Sequence, residues 1–582
     1  MVLASSRPGR PGACGAEAGV AKYASAPGSA TLVTARLVGA LAALVIAGTA
    51  ACGSPQPARP ATAGVVAASP APPTLAAAIN RAVHLGPAGA ATQVELSLGL
   101  KVRQADRLAK VLASGQTVTP EQYQAEFGPD PARVGAALLA LTSAGLHASW
   151  DPGSALIAAD GPAPAVAALF GIDIEDYRLA SGTTFYASLD EPKLPPDIAT
   201  VVSSVTGLDN YRGARTYAVR PGGLTPTDVI AFYNLKPLRD AGLDGSGITV
   251  VLPEIDDLPN LTDLNKFAAK FGLPPYDSLL TVKRDPSWGT PMKAAGETVL
   301  DLEIIHEVAP AAKLVVYLSA PDFAHADRAF DQMVSDHLGS VISESLGACE
   351  PETPVGHRDL YASIQDRSVA QGMSHFIASG DSGAYTCGIS AAPAASFPST
   401  LPNVTAVGGT TVFESVQGIY FKESAWGGPI NESGTGGGPS QFYPLPDYQK
   451  AIGQAAGHGL RQVPDVAADA DPSTGFHIIF GGQDGQAGGT SAAAPLWAAT
   501  VALIDQDLKR KGLRETGFAN PAIYWMGTNS SKLLAPPFHD VKVGNNLAFD
   551  AGPGWDFATG WGSMDAVALD AAWILYIKGG GA

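Results

Sequence analysis

The spacing of apolar residues along the chain changes near residue 224. Between about residues 78 and 215, alternating apolar positions in "TQVELSLGLKV" predict a strand, and helical apolar spacing in "PARVGAALLALTSAGL" predicts a helix. Beyond it, apolar β-branched runs such as "ITVVLP" and "KLVVYLSA" alternate with helical segments such as "NLTDLNKFAAKFG". The first pattern predicts a small α+β domain. The second predicts an α/β domain with a doubly wound parallel sheet, whose functional residues follow the carboxyl ends of the strands.

Two segments of unusual composition divide the chain. Residues 53–77 are rich in Pro and Ala, as exposed linkers are, and a Gly/Pro-rich stretch spans residues 212–226. Before them, Arg36 precedes an apolar run that is shorter than the ~20 residues of a membrane span and ends in small residues. We therefore expect an export segment (1–52), a linker (53–77), a first domain (78–215) and a second domain (216–582).

The charge balance excludes one class of protein and favours a compartment. The 582 residues carry 37 basic and 54 acidic side chains, a net charge of −17, which argues against a nucleic-acid binder. The sequence "TAACGS" around Cys52 is similar to a lipid-attachment motif, so the protein is expected to be secreted, with a lipid anchor as an alternative. Because export favours disulfides, we predict a bridge between Cys349 and Cys387; two free buried thiols are the alternative.

A serine opens an apolar helix at "GGTSAAAPLWAATVALI", which begins at Gly488. The two glycines permit a tight turn, and Ser491 stands in the first helical turn, where the helix dipole favours a developing negative charge. Ala493 replaces the second Gly of a GxSxG motif, which argues against a lipase-type elbow. Ser491 is therefore a candidate nucleophile; a small packing residue at a buried helix start is the alternative.

The segment "IASGDSG" holds the letters that surround the nucleophile of chymotrypsin-like proteases. Those enzymes are all-β and have a His-Cys pair, whereas this region is α/β and no histidine precedes a cysteine. The strand and its turn are instead similar to the subtilisin segment that supplies the oxyanion-hole asparagine. Asp381 stands at that position, and it could donate a hydrogen bond only as a neutral acid with a raised pKa.

Two acidic residues share one face of the helix predicted in "GETVLDLEIIHEVA". Glu297 and Asp301 are four residues apart, about 6 Å along the helix axis. Apolar neighbours and a following buried strand indicate that the pair is buried, and such a pair shares a proton. One carboxyl can take the serine proton while the other orients it, as in a catalytic triad. A solvated helix face is the alternative.

These motifs together resemble the sedolisins, or serine-carboxyl peptidases, of the kumamolisin type. "GETVLDLE", "ASGDSG" and "GGTSAAAP" match three family motifs in order, and residues 78–215, including "TPEQYQAEFG", are similar to the family's activation prodomain. "VISESLG" (341–347) resembles the strand whose edge, Ser345-Leu346-Gly347, pairs with substrate.

The resemblance implies a subtilisin-like fold and a role for each site residue. Ser491 is the nucleophile, Glu297 the base, Asp301 the residue that orients Glu297, and Asp381 the oxyanion-hole acid. Glu254 extends the carboxyl network. Thr298 stands where many members carry a large aromatic residue, and it is expected to reshape the neighbouring specificity wall.

The C-terminal segment "FHDVKVGNNLAFDAGPGWDFATGWGSMD" holds two acids around a glycine loop. Carboxylates with free carbonyls suit Ca²⁺, although a simple glycine turn fits the residues equally well. The family resemblance implies one structural calcium ion, with side chains from Asp540 and Asp556 and carbonyls from Val541, Gly552 and Gly554.

The resemblance implies a monomeric, secreted acid endopeptidase that is made as a precursor and cleaves itself near residues 212–224. Its expected partners are protein or peptide substrates and its own prodomain, without nucleic acid and without a transmembrane helix in the mature form. A tripeptidyl aminopeptidase or an inactive binding homologue on the same fold are the alternatives.

Overall fold

The structure is a computed structural model, and it describes residues 75–179, 184–211, 223–388, 391–414, 420–427, 433–452 and 459–579. The predicted export segment, Cys52 and most of the expected self-cleavage segment lie outside these residues. The first described helix begins at Leu75, which is within the predicted linker. None of the described helices combines the length and the hydropathy that crossing a membrane requires.

The first domain is an α+β unit with two antiparallel sheets, as the sequence predicts. Its helices are α1 (Leu75–Arg81), α2 (Ala105–Ser114), α3 (Pro120–Glu126), α4 (Pro131–Ser143), α5 (Ala163–Phe170) and α6 (Pro196–Ala199). Its strands are β1 (Val83–Pro87), β2 (Gln93–Leu100), β3 (His147–Ser149), β4 (Leu156–Pro162), β5 (Glu175–Arg178), β6 (Thr184–Ala187) and β7 (Val202–Thr206). One sheet has the order β3-β4-β2-β7 and the other β1-β5-β6.

Local signals explain why α4 begins where it does. The Asp130 side chain accepts a hydrogen bond from the Ala132 N–H at 2.9 Å, and Pro131 occupies the first helical position. Val134, Ala137 and Leu141 recur at helical spacing and are buried against the four-stranded sheet. The periodic pattern in "PARVGAALLALTSAGL" therefore predicts the helix correctly.

The second domain carries the remaining elements. Its helices are α7 (Pro226–Phe232), α8 (Lys236–Asp240), α9 (Thr262–Phe271), α10 (Glu297–Val308), α11 (Phe323–Asp336), α12 (Val355–Ala370), α13 (Thr490–Arg510), α14 (Asn520–Asn529) and α15 (Ala566–Lys578). Its strands are β8 (Thr249–Glu254), β9 (Leu280–Arg284), β10 (Lys313–Leu318), β11 (Val341–Glu344), β12 (Ala348–Cys349), β13 (Ser374–Ala378), β14 (Ser396–Phe397), β15 (Thr405–Glu414), β16 (Tyr420–Ala425), β17 (Gly438–Pro444), β18 (Leu460–Val463), β19 (Val466–Asp469), β20 (Phe476–Phe480), β21 (Gln483–Ala487), β22 (Phe538–His539) and β23 (Ser563–Met564).

The second domain is built on one large sheet, which confirms the predicted doubly wound α/β architecture. Its order is β16-β15-β13-β11-β8-β10-β9, with β19 beside β15. Every pairing in it is parallel except that of β15 with β16. Successive residues of β8 face different hydrophobic clusters: Val250 and Leu252 join one, and Val251 joins another. The sheet is therefore covered on both faces.

Helices α10 and α13 pack against each other on one face of this sheet. All the residues of α10 are buried, as are residues 490–508 of α13. A helix that is apolar on every side is stable only when surrounded by protein, which is what the alanine-rich sequence of α13 predicts. The start of each helix meets the carboxyl ends of the central strands, the expected position of functional groups.

The first domain docks on the opposite face, against α11 and α12, through β2 and β7. The Ser97 hydroxyl donates to the Ala324 carbonyl at 3.0 Å, and the Thr206 hydroxyl donates to Asp327 Oδ2 at 3.2 Å. Gly356 of α12 lies so close to β7 that a Cβ there would be 2.1 Å from the Val205 carbonyl oxygen. The interface between the two domains therefore depends on close backbone contacts as well as on side-chain hydrogen bonds.

Candidate active site

Ser491, Glu297, Asp301 and Asp381 come together from three different elements. Ser491 is in the first turn of α13, Glu297 and Asp301 are in the first two turns of α10, and Asp381 follows β13. The four side chains are at most 5% exposed. Residues far apart in the chain are thus gathered at the sheet edge where the sequence predicts a site.

The turn before Ser491 requires glycine at both positions. Gly489 has φ +116°, a backbone conformation that other residues rarely adopt, and a Cβ at Gly488 would lie 2.7 Å from the Ala470 carbonyl oxygen. A Cβ at Gly489 would also lie 2.6 Å from Asp381 Oδ2. The second glycine therefore sets the turn and keeps the space beside the Asp381 carboxyl open.

The start of α10 is held by a carboxyl group from the end of β8. Asp256 accepts hydrogen bonds from the N–H groups of Ala295 at 2.7 Å, Gly296 at 2.9 Å and Glu297 at 2.9 Å. An acidic side chain at this end satisfies donors that have no partner within the helix and complements the helix dipole. The position of Glu297 is thus tied to the central sheet.

The pKa values of the acidic pair are displaced upward, mainly by burial. Burial raises the pKa of Glu297 well above its ordinary value, and the Asp301 charge adds to the effect, whereas the Ser491 hydroxyl favours the ionised form. Among the described residues, neither carboxyl oxygen of Glu297 has a hydrogen-bond partner. We regard Ser491 as adjacent to Glu297 rather than bonded to it, a separation that commonly closes only when substrate binds.

Asp301 has a hydrogen-bond donor that Glu297 lacks. The Ser345 hydroxyl donates to Asp301 Oδ2 at 2.7 Å. Burial raises the pKa of Asp301 to about 7, while hydrogen bonds from Ser345 and Glu254 act in the opposite direction. Burial and the charges of Asp301 and Glu297 raise the pKa of Glu254 well above its ordinary value. Glu254 is therefore close enough to Asp301 for each carboxyl to influence the protonation of the other, and it belongs to the same carboxyl network.

Thr298, which stands where many members of the family carry a large aromatic residue, lies inside the protein. Its side chain is completely buried, and its hydroxyl donates to the Asp256 carbonyl at 2.6 Å, with Glu254 Oε2 at 3.2 Å. The short side chain therefore joins α10 to the end of β8 beneath the acidic pair. That this small side chain reshapes the neighbouring specificity wall stays a prediction.

The Asp381 carboxyl has one oxygen engaged and one free. Its Oδ1 accepts from both the N–H and the hydroxyl of Thr490, each at 2.7 Å, whereas Oδ2 has no partner among the described residues. Burial raises the pKa of Asp381 to about 6, although the two Thr490 donors favour the ionised form. Because Oδ1 already accepts two hydrogens, a proton on Asp381 belongs on Oδ2, the oxygen beside Gly489.

A disulfide joins the segment that follows β11 to the segment that follows β13. Cys349 and Cys387 are bonded, with Cα atoms 5.0 Å apart, which confirms the predicted bridge. Cys349 comes four residues after Ser345 and Cys387 six residues after Asp381. The cross-link therefore connects the loop that continues from β11 with the loop that continues from β13.

The C-terminal acids lie on one glycine loop. Asp540 Oδ1 accepts from the Gly554 N–H at 3.0 Å, and Asp556 Oδ2 accepts from the Gly552 N–H at 2.8 Å. Burial raises the pKa of Asp556 to about 6. The carbonyl oxygens of Val541, Gly552 and Gly554 accept no backbone hydrogen bond from any described residue.

This donor set fits a calcium ion. Two carboxyl groups and three free carbonyls are the oxygen ligands that Ca²⁺ takes, and a glycine loop lets the carbonyls turn inward. No cluster of three or more His, Cys, Asp or Glu side chains suited to a metal occurs among the described residues. A metal at this loop therefore depends on the backbone carbonyls.

Sequence reasoning missed Asp256 and the hydroxyl contact of Ser345. Asp256 lies two residues beyond the end of β8, and Ser345 is the first residue after β11. The rule that functional groups stand at the carboxyl ends of such strands points to these positions. It does not show that Asp256 caps the helix of Glu297 or that Ser345 reaches Asp301, because both contacts join segments distant in sequence.

Comparison with known proteins agrees with this arrangement. Residues 80–211 match the family described as "Pro-kumamolisin, activation domain", and residues 289–562 match the "Subtilase family". Sedolisin of Pseudomonas sp. (strain 101) is 30% identical over 505 residues, which cover 80% of this chain and 82% of that protein. Kumamolisin of Bacillus sp. (strain MN-32) is 32% identical over 446 residues, covering 70% and 77% of the two chains.

A solved structure shows the same relationship. The structure described as "Pseudomonas sedolisin (serine-carboxyl proteinase) complexed with two molecules of pseudo-iodotyrostatin" is 31% identical in sequence, with a TM-score of 0.54. The match covers 62% of this chain and 100% of that one. With its activation prodomain and subtilisin-like second domain, the chain belongs to the sedolisin family of serine-carboxyl peptidases.

Proposed function

We propose that the chain is the precursor of a secreted endopeptidase that cleaves proteins at acidic pH. The observation that carries the proposal is the meeting of Ser491, Glu297, Asp301 and Asp381 at the starts of α10 and α13 and the end of β13. A hydroxyl beside a buried carboxyl pair, with a second acid across the turn, has the parts that acyl transfer needs.

In the proposed reaction, Ser491 attacks the peptide carbonyl and Glu297 takes the serine proton. Asp301 orients Glu297 and shares the charge of the pair, as the third member of a triad does. The proton then passes to the leaving amine, and water hydrolyses the acyl-enzyme by the same steps in reverse order. The raised pKa of Glu297 makes it a stronger base than an exposed glutamate.

Asp381 is the proposed oxyanion donor. As a neutral acid, its proton sits on Oδ2, since Oδ1 accepts both Thr490 donors. Oδ2 faces the space beside Gly489, two residues before the nucleophile. A donor fixed there stabilises the negative charge that develops on the substrate oxygen.

The proposed enzyme has an acidic pH optimum because Asp381 must be protonated while the Glu297–Asp301 pair must carry a charge. Asp381 donates only while protonated, so its contribution is complete well below pH 6 and is lost as the pH rises through its pKa of about 6. Glu297 and Asp301 must together keep one negative charge, and burial raises the pKa of Asp301 to about 7, so this charge is lost as the pH falls through that value. The two required forms overlap between about pH 6 and pH 7, and activity therefore peaks in this mildly acidic range.

Self-processing of the precursor tests the nucleophile. The purified precursor should shorten at low pH to a form that begins near Gly222, and Ser491→Ala should stay intact under the same conditions, as gel electrophoresis and N-terminal mass spectrometry would show. The cut falls among residues outside the described part of the chain, while Leu224 just beyond pairs with Phe476. Processing of Ser491→Ala at the wild-type rate would reject Ser491 as the nucleophile.

The pH profile of kcat tests Asp381. Asp381→Ala should lose about 10²–10³ in kcat, the usual cost of deleting one oxyanion donor. Asp381→Asn should keep much of this activity and move the alkaline limb upward, because its amide donates without needing a proton.

A matched control for Asp381 lies on α13. Asp505 is also buried, its Oδ1 accepts from the Thr516 N–H at 2.7 Å, and burial raises its pKa to about 7. Asp505→Asn should leave the alkaline limb unchanged. The oxyanion assignment would not survive a fully active Asp381→Ala, nor an alkaline limb that moves equally in both asparagine variants.

The competing activity within the family is removal of tripeptides from free N-termini. Tripeptidyl-peptidase sed1 of Aspergillus fumigatus is 30% identical over 39% of this chain, whereas sedolisin is 30% identical over 80% of it, and this longer match supports the endopeptidase. An inactive binding homologue is opposed by the presence of all four side chains of the proposed site.

Peptides with blocked ends separate the two activities. N-acetylated peptides of about ten residues should be cut internally as fast as their free-amine forms, because an endopeptidase does not bind the terminal amine. Mass spectrometry of the products gives the result. Tripeptide release that occurs only with the free-amine form would favour the tripeptidyl peptidase instead.

We also propose that the loop of Asp540 and Asp556 binds one structural calcium ion, with carbonyls of Val541, Gly552 and Gly554 completing the site. The family resemblance and the unengaged carbonyls support this assignment. Asp540 forms an ion pair with Lys542 at 3.2 Å, which would give way to the stronger charge of the metal. The ion would stabilise the loop and take no part in the chemistry.

Removal of calcium should lower the melting temperature of the enzyme. A ligand at a hundred times its Kd stabilises the folded state by about 2.7 kcal/mol, so EGTA should lower Tm by about 5 °C and added Ca²⁺ should restore it. Asp540→Ala should lose this increment, while Asp550→Ala, an exposed acid on the same loop, should keep it. An equal response of both variants to Ca²⁺ would place the ion elsewhere.

A further inference from the structure

Ser345 stands where the three elements of the site meet. It follows β11, and its side chain is 5% exposed. Its hydroxyl oxygen is 2.7 Å from Asp301 Oδ2 on α10 and 3.2 Å from the carbonyl oxygen of Ser491 on α13. One small side chain therefore contacts both the carboxyl pair and the backbone of the proposed nucleophile.

The carbonyl of Ser491 is open to this contact because of Pro495. In an α-helix, each carbonyl accepts from the N–H four residues later. The residue four positions after Ser491 is Pro495, which has no N–H. A buried carbonyl without a partner is costly, and the Ser345 hydroxyl is the donor that reaches it. The proline of "GGTSAAAP" and the serine of "VISESLG" are thus complementary.

The Asp301 side of the contact is surrounded by acids. Glu297 faces it from its own helix, and Glu254 and Asp256 face it from the end of β8. The adjoining start of α13 contributes the Ser491 hydroxyl, with Asp381 beyond it. Ser345 is a neutral donor in this group, so it stabilises the ionised carboxyl without adding charge.

We propose that Ser345 is a positioning residue. It fixes the position of the Glu297–Asp301 pair relative to the backbone of Ser491, and it favours the charged form of that pair. The inference rests on the function proposed above. A hydroxyl has a single hydrogen, and the shorter distance assigns it to Asp301. When Asp301 is protonated, the same hydroxyl can accept from the acid and turn its hydrogen to the Ser491 carbonyl. Ser345 thus serves both protonation states of the pair.

The same strand provides a matched control. Ser343 lies two residues earlier on β11, is completely buried, and pairs with Phe376 within the central sheet. Its hydroxyl has no partner among the described residues. Ser343→Ala therefore removes the same side-chain atom from the strand that leads into Ser345, at a serine that makes no hydrogen bond to the site.

The experiment compares pH profiles of kcat/KM on denatured haemoglobin for the wild type, Ser345→Ala and Ser343→Ala. Loss of the Ser345 donor should move the acidic limb upward by about one pH unit, since the ionised pair loses one charge-assisted hydrogen bond. At pH values on the acidic limb, kcat/KM should therefore fall about tenfold, with KM nearly unchanged. Ser345→Thr, which keeps a hydroxyl, should return the limb towards the wild-type position. Ser343→Ala should match the wild type.

Thermal melting of each variant separates positioning from a general loss of stability. The inference is overturned if the Ser345→Ala profile matches the wild type, or if Ser343→Ala shifts by the same amount. Glu297→Gln and Ser491→Ala are assayed beside them. Activity retained by those two variants would reject the proposed function itself, whereas their inactivity with an unshifted Ser345→Ala profile would reject only the positioning role.

Discussion

The crowding of three carboxyl groups around one serine is the constraint on which the rest of the structure depends. Glu254, Glu297 and Asp301 are all buried, where an isolated charge is poorly solvated and adjacent charges repel. The set therefore keeps protons that exposed acids would lose, and its charge belongs to the group rather than to one residue. In the proposed mechanism, this crowding makes Glu297 a stronger base than an exposed glutamate.

The scaffold holds several acids in and around the site with uncharged hydrogen-bond donors. The N–H groups at the start of α10 bind Asp256, Thr490 binds Asp381, and Ser345 binds Asp301. An arginine or lysine in these places would pull the pKa values down and remove the basicity that the site needs. Uncharged amide and hydroxyl donors fix the positions of the carboxyls and lower their pKa values less than a cation would. The first turn of a helix supplies several such free N–H groups.

Much of the fold and of the site could be predicted where the signal lies in consecutive residues. The apolar runs of β8 and β10, the buried helix α13 and the turn at Asp381 were all recognisable, because local spacing determines them. Contacts between segments that are distant in the sequence could not be recognised in this way. Helix α12 is rich in polar residues, yet Arg367 is buried, with its guanidinium bonded to Asp331 and to the Gly153 carbonyl of the first domain. Pattern alone assigns such a residue to solvent.

The bond between Cys349 and Cys387 has a consequence for where the enzyme can be active. It links the loops that leave β11 and β13, so a chain that cannot form it lacks a fixed distance between the two sides of the cleft. Thiols remain reduced in the cytoplasm and are oxidised outside it. An oxidising environment would favour assembly of the site, and the proposed dependence on acid would add a second requirement. Under that proposal, a cell that makes this peptidase is protected by two chemical conditions that its own interior does not meet.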